Sequence, residues 1–72
     1  MTIKYLHTEQ EKAYEGAKEM NQLTNSLTFV MIGTDNQRSE TFIEVYTDPF
    51  DSTIVTGKLL ATCKKGKIDL IK

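Results

Sequence analysis

Only one stretch of this chain, residues 9–23, carries helical periodicity; the other apolar segments alternate or run as short strands do. That stretch lacks proline and is rich in Glu, Lys, Ala, Gln and Met, all good helix formers. Ala13, Ala17, Met20 and Leu23 follow at steps of four, three and three and so share one face, with Tyr14 beside them. Thr8 and Glu11 fit a capping box at its start. The Asn, Thr and Ser residues between 21 and 26 are expected to end it in a turn. Gly16 weakens a helix by about 1 kcal/mol against alanine, which points to a close approach there or to simple tolerance.

Around this helix the chain reads as strands. Thr2–Leu6 alternates, with Ile3 and Tyr5 on one side and Lys4 on the other. Residues 27–34 are apolar on both faces (Leu27, Phe29 and Met31 against Thr28, Val30 and Ile32), the mark of a central strand. A turn over residues 33–37 and a strand over residues 38–47 complete a hairpin. Pro49 makes residues 48–52 a loop. Residues 53–63, β-branched at the start, form a further strand with a bulge expected at Gly57. Residues 64–67 are a polar turn before a short strand at 68–71. The order β-α-β-β-β-β predicts a single α+β domain over residues 1–72. One helix packs on one face of a mainly antiparallel four- or five-stranded sheet, and the last four strands run as a meander.

Size and composition exclude several classes. At 72 residues and 8.2 kDa there is material for one thin core, not for a multidomain enzyme. Nine basic and ten acidic side chains leave a formal net charge of −1, so bulk attraction to nucleic acid or anionic lipid is not expected. The longest apolar run, residues 29–32, is far too short for a membrane helix. Cys63 is the only cysteine and His7 the only histidine, too few ligands for a zinc site and no basis for an internal disulfide. Cys63 reads as a buried small hydrophobe, and a reducing cytoplasm is the expected compartment. No cofactor or metal is implied.

No catalytic constellation stands out. Ser26, Ser39 and Ser52 lack a nucleophile-elbow context, and His7 marks the strand-to-helix junction. Asp48 and Asp51 flank Pro49-Phe50 without the further oxygen ligands of a calcium loop. Thr56-Gly57-Lys58 lacks the upstream glycine of a phosphate-binding loop.

The informative pattern lies elsewhere. On the strand at 38–47, Thr41, Ile43 and Val45 form a β-branched core side, while Glu40, Phe42, Glu44 and Tyr46 alternate acid with aromatic on the other. One helix covers one sheet face, which leaves this second face open to a partner or a second copy of the chain. Charge is segregated as well. Residues 33–52 hold Asp35, Glu40, Glu44, Asp48 and Asp51 against Arg38, whereas residues 53–72 hold five lysines against Asp69. Part of this is expected to neutralise across strands, Glu40 or Glu44 against Lys58. The expected function is therefore non-enzymatic protein binding, as a small inhibitor or adaptor. Glu40, Phe42, Glu44, Tyr46, Asp48 and Asp51 would dock on a protein with a basic surface, a nucleic-acid-binding one being the case in which carboxylates stand in for phosphates. The alternative is weak nucleic-acid binding through Lys64, Lys65 and Lys67 on the basic turn. Carboxylates among the aromatics argue against nucleic acid, and a homodimer fits the open sheet.

Overall fold

The computed structural model describes residues 1–35 and 40–71. They form strand β1 (Thr2–Leu6), helix α1 (Gln10–Thr24), strands β2 (Thr28–Thr34) and β3 (Phe42–Tyr46), a single 3-10 turn (Pro49–Asp51), and strands β4 (Thr56–Lys64) and β5 (Lys67–Leu70). The five strands make one antiparallel sheet in the order β1-β3-β2-β4-β5, with α1 packed against it. This is the expected α+β architecture, with β2 central. The expected turn at 33–37 and the expected strand start at Arg38 extend into residues outside the described ones.

The last four strands are not a meander. β3 pairs with β1 and β2, and β4 pairs with β2 and β5, so β2 separates β3 from β4. Glu40 and Glu44 therefore do not lie across from Lys58, whose register partner is Ile32. Two crossovers follow. β1 and β2 are parallel to each other and flank β3, joined by α1; β3 and β4 are parallel and flank β2, joined by residues 47–55. Both crossovers step in the same sense across the sheet, but along opposite strand directions. Connections of one hand must then lie on opposite faces, and a strong preference for right-handed crossovers favours that outcome. The loop thus covers the face that the helix leaves bare.

The helix-side core consists of Ala13, Ala17 and Met20 against Val30, Ile43, Val45, Ala61 and Cys63, with Tyr5, Tyr14, Ile32, Leu60 and Ile68 at its margin. Leu23, expected on this face, is 79% exposed, because at about 100° per residue it falls to the side of the stripe that Ala13, Ala17, Met20 and Asn21 bury. Thr8 does not cap the helix. Glu9 occupies the N-cap, and its Oε1 accepts from the Leu6 N–H (2.9 Å) while Lys12 Nζ donates to Oε2 (3.1 Å). These two donors, the backbone one first, hold the Glu9 carboxyl below the usual carboxylate range.

Helix α1 runs to Thr24 and stops at Asn25 in the left-handed region (φ 53°), whose N–H bonds the Asn21 carbonyl. Asn21 thus lies inside the helix instead of ending it. Its buried amide donates to the carbonyls of Ser26 (2.7 Å) and Cys63 (3.1 Å), and its Oδ1 accepts from the Gly66 N–H (2.8 Å). One side chain ties the helix end to the β4–β5 hairpin. The expected bulge at Gly57 is absent there, since Gly57 pairs regularly with Gly33. Register shifts instead between Val30 and Met31, where Ala61 and Leu59 are the partners and Leu60 is the extra residue.

Gly16 marks a close approach. A β-carbon there would overlap the Tyr5 hydroxyl. Gly16→Ala is therefore expected to lower stability by about 1–3 kcal/mol despite its better helix propensity, and Tyr5→Phe in the same chain should recover part of the loss. Urea unfolding of the three variants checks this, and a stabilised Gly16→Ala would refute it. A second expectation concerns acid. Because the folded Glu9 carboxyl is lowered, its contribution is present above the ordinary carboxylate range and disappears as pH falls through the lowered folded value. The Leu6 amide resonance should titrate with that carboxyl, and Glu9→Gln should abolish the titration.

Candidate functional site

The acidic and aromatic side of β3 is not open. Phe42 and Tyr46 are each 4% exposed and Glu44 is 0% exposed. This corrects the expectation of a free docking face, and its cause is the β3–β4 crossover. Ile43 and Val45 point to the helix side as expected, whereas Thr41 lies before the strand and is exposed. On the other face Phe29 stacks on Tyr46, with ring centroids 5.5 Å apart and planes at 27°. The Tyr46 hydroxyl donates to Met31 Sδ (2.9 Å). Burial pushes the Tyr46 phenol up, and the nearby Glu44 charge acts in the same direction against a hydrogen bond from Ser52. Lys4 Nζ sits 5.3 Å from the centre of the Phe42 ring.

Glu44 is the anchor of the crossover. Its carboxylate accepts from the Thr53 backbone N–H (3.1 Å to Oε1) and from the Thr53 hydroxyl (2.8 Å to Oε2). One residue on, Ile54 lies against the facing pair Gly33 and Gly57, where any β-carbon would meet its Cγ2 below 3 Å. The Val55 N–H then bonds the Thr34 carbonyl (2.9 Å) and leads into β4. The stretch expected as strand at 53–55 is thus part of the loop, because its backbone and side chains serve the second face of the sheet.

The tip of the same loop faces outward. Asp48 Oδ1 accepts from the Phe50 N–H (3.0 Å), and the Asp48 and Pro49 carbonyls accept from Asp51 N–H (2.9 Å) and Ser52 N–H (3.2 Å). The Asp51 carboxylate pairs with the Met1 amine (3.0 Å), and the Thr2 hydroxyl donates to the Asp51 carbonyl (3.4 Å). Proline at the first turn position presets the backbone. These bonds turn the Phe50 ring away from the protein, and Phe50 is 96% exposed. Asp48 and Asp51 are candidates from the sequence, whereas Phe50 is prominent only in the structure. The signal available was the Asp48-Pro49-Phe50-Asp51 spacing, an aspartate whose side chain bonds the backbone two residues on and leaves the intervening turn at the surface.

The remaining acid, Glu40, is exposed but lies before β3, near the Leu6 and Gly33 end, whereas Asp48 and Asp51 follow β3 at the Thr2 and Phe29 end. Four strand steps, about 13 Å, separate the two ends. The structure therefore brings Asp48, Phe50 and Asp51 together and leaves Glu40 apart. Lys64, Lys65 and Lys67 are all exposed at the β4–β5 hairpin, whose turn residues Lys65 and Gly66 both have positive φ (52° and 78°). No exposed aromatic ring stands among them. Cys63 is buried, and desolvation raises its thiol pKa against the lowering effects of Lys18 and the Gly66 N–H. His7 is exposed at the turn between β1 and α1. Among the described residues no group of three His, Cys, Asp or Glu side chains is placed to hold a metal ion, and no described helix is long and apolar enough to cross a membrane. Comparison with protein-family models, with curated proteins and with solved structures gives no match to this chain.

The anchor makes a quantitative expectation. Glu44→Ala should lower stability by about 2–3 kcal/mol and Thr53→Val by about 1 kcal/mol, with the double variant losing less than the sum because both remove one bond. Denaturant unfolding of the four proteins in the cycle measures the coupling, and strict additivity would show that the pair does not hold the loop.

Proposed function

We propose that this chain is a non-enzymatic protein-binding module, an adaptor or inhibitor, whose contact element is the turn Pro49–Asp51 with Asp48. The observation that carries the reading is Phe50, a large aromatic ring 96% exposed on a turn held by its own backbone and side-chain bonds. Exposed single apolar residues are common, but among the large apolar side chains of the described residues Phe50 is the most exposed. A ring presented on a bonded turn loses little freedom on binding, and buried aromatic anchors are where interface energy concentrates.

The surroundings select the kind of partner. Asp48 and Asp51 lie on the same turn as the ring, and residues 40–55 contain no lysine or arginine; of the other two acids in that stretch, Glu44 is sealed under Thr53 and Glu40 stands at the far end of β3. A complementary surface is an apolar pocket with basic groups at its rim, where the pocket takes the ring and the charges speed encounter and fix orientation. This retains the basic partner expected from the sequence and moves the contact from the side of β3 to the loop that follows it.

The test is capture by immobilised protein from a cell extract, compared among variants. A species retained by the native chain and by Glu40→Lys, but at least about 30-fold weaker with Phe50→Ala, supports the reading. Phe50→Ala should leave folding stability within about 0.5 kcal/mol, since the ring touches little of its own protein. Capture indifferent to Phe50 would refute it. The second reading rests on the three exposed lysines at the hairpin tip. It would be favoured by salt-dependent oligonucleotide binding that disappears when Lys64, Lys65 and Lys67 are replaced by alanine.

A further inference from the structure

The sheet has two free edges, β1 and β5, and they differ in what they offer. In β5 the pairing with β4 sets which backbone groups face outward. Lys64 and Lys67 close a two-residue turn, Thr62 pairs with Asp69, and the Ile71 N–H bonds the Leu60 carbonyl (2.9 Å). Residues 67, 69 and 71 therefore spend their backbone groups on β4, and residues 68 and 70 turn theirs to the open edge. Ile68 and Leu70 also point their side chains to the helix side, where an open depression of about 750 Å³ takes in Tyr14, Lys18, Ile68 and Leu70. Leu70 is 57% exposed. On the opposite face Lys67 and Asp69 are both exposed, and neither has an ion-pair partner among the described residues.

We infer that β5 pairs with β5 of a second copy, antiparallel, about a two-fold axis through Ile68. In this register the two Ile68 residues exchange backbone hydrogen bonds, the type of pair their outward N–H and C=O groups allow. Lys67 of each copy then lies opposite Asp69 of the other, which makes two opposite-charge pairs on the loop side of a continuous ten-stranded sheet. On the helix side, Ile68 meets Ile68 and Leu70 lies over the partner's Gly66, whose lack of a side chain leaves it room.

The alternatives are worse. Moving the axis one pair along, so that Ile68 faces Leu70, sets Asp69 against Asp69. The β1 edge carries Lys4 and no acid, so no register of β1 against itself forms an opposite-charge pair. Charge complementarity thus selects both the edge and the register, and the two-fold contact closes without leading to a filament. The Phe50 turn packs by the start of β1, across the sheet from β5. A dimer of this form displays two such turns, and either proposal can fail without the other.

The experiment is sedimentation equilibrium of the whole chain under reducing conditions. A four-residue edge makes a small interface, so the dimer should assemble with a dissociation constant of about 1–100 μM. The mass should rise from 8.2 kDa towards twice that value with concentration. Lys67→Asp alone and Asp69→Lys alone should each weaken assembly about tenfold, and the two together should restore it. Far-ultraviolet spectra identify any variant that fails to fold. A chain that stays at the monomer mass, a dimer indifferent to the single reversals, or a double variant that does not recover would each overturn the proposal.

Discussion

The carboxylate of Glu44, sealed beneath residue Thr53, is the constraint on which the rest of the second sheet face depends. Taking a carboxylate out of water costs several kcal/mol, and the charge-assisted hydrogen bonds from the Thr53 amide and hydroxyl offset that cost. Burial of Phe42 and Tyr46 on the same face is worth about 2–3 kcal/mol each and tips the balance. The apolar rings favour closure, while the acid dictates what may close over them: a segment that brings hydrogen-bond donors. Thr53 brings two. An apolar segment in its place would leave the charge without partners, so Glu44 specifies the loop's position as much as it stabilises it.

The closure also accounts for the exposure of Phe50. The crossover must run from the Tyr46 end of β3 back to the Thr34 end of β2 before β4 can begin. Its second half is held to the sheet by Thr53 and by Ile54 on the facing glycines. Its first half has to reverse direction at the sheet's end, and Asp48 and Pro49 make that reversal a tight turn. A tight turn at the rim projects its central side chain outward, and that side chain is a phenylalanine. The structural device that hides two aromatics thereby displays a third, which links folding of the second face to the proposed binding surface.

On the helix side the same economy of parts appears at Asn21. A chain of 72 residues has few elements to share the burial, and its last hairpin meets the helix through Ala61, Cys63 and Ile68. At one buried amide, a hydrogen bond to the Ser26 carbonyl fixes the chain leaving the helix, while two others, to the Cys63 carbonyl and from the Gly66 N–H, hold that hairpin in place. They also orient β5, whose free edge then carries Lys67 and Asp69 outward. The two proposed contacts lie at opposite margins of the sheet, the Phe50 turn by the start of β1 and the pairing edge at β5, so one chain can meet a partner and its own copy at once.

By itself the sequence determined the elements and one core face. The three- and four-residue spacing of Ala13, Ala17 and Met20, the two-sided apolar run of β2 and the β-branched row Ile43 and Val45 are local patterns, and local patterns fix helices, strands and their inner sides. The capping pattern at Thr8 and the bulge at Gly57 do not form, because Glu9 holds the N-cap position with its carboxylate turned to the Leu6 N–H and Lys12, and a facing glycine keeps Gly57 in register. Alternation likewise placed Phe42, Glu44 and Tyr46 together, but could not say what lies above them. That was decided by the tertiary structure, in which β2 sits between β3 and β4 and sends residues 47–55 over the bare face. Strand order is a relation between segments far apart in the chain, carried by sheet pairing and crossover hand and not by the periodicity of any single stretch.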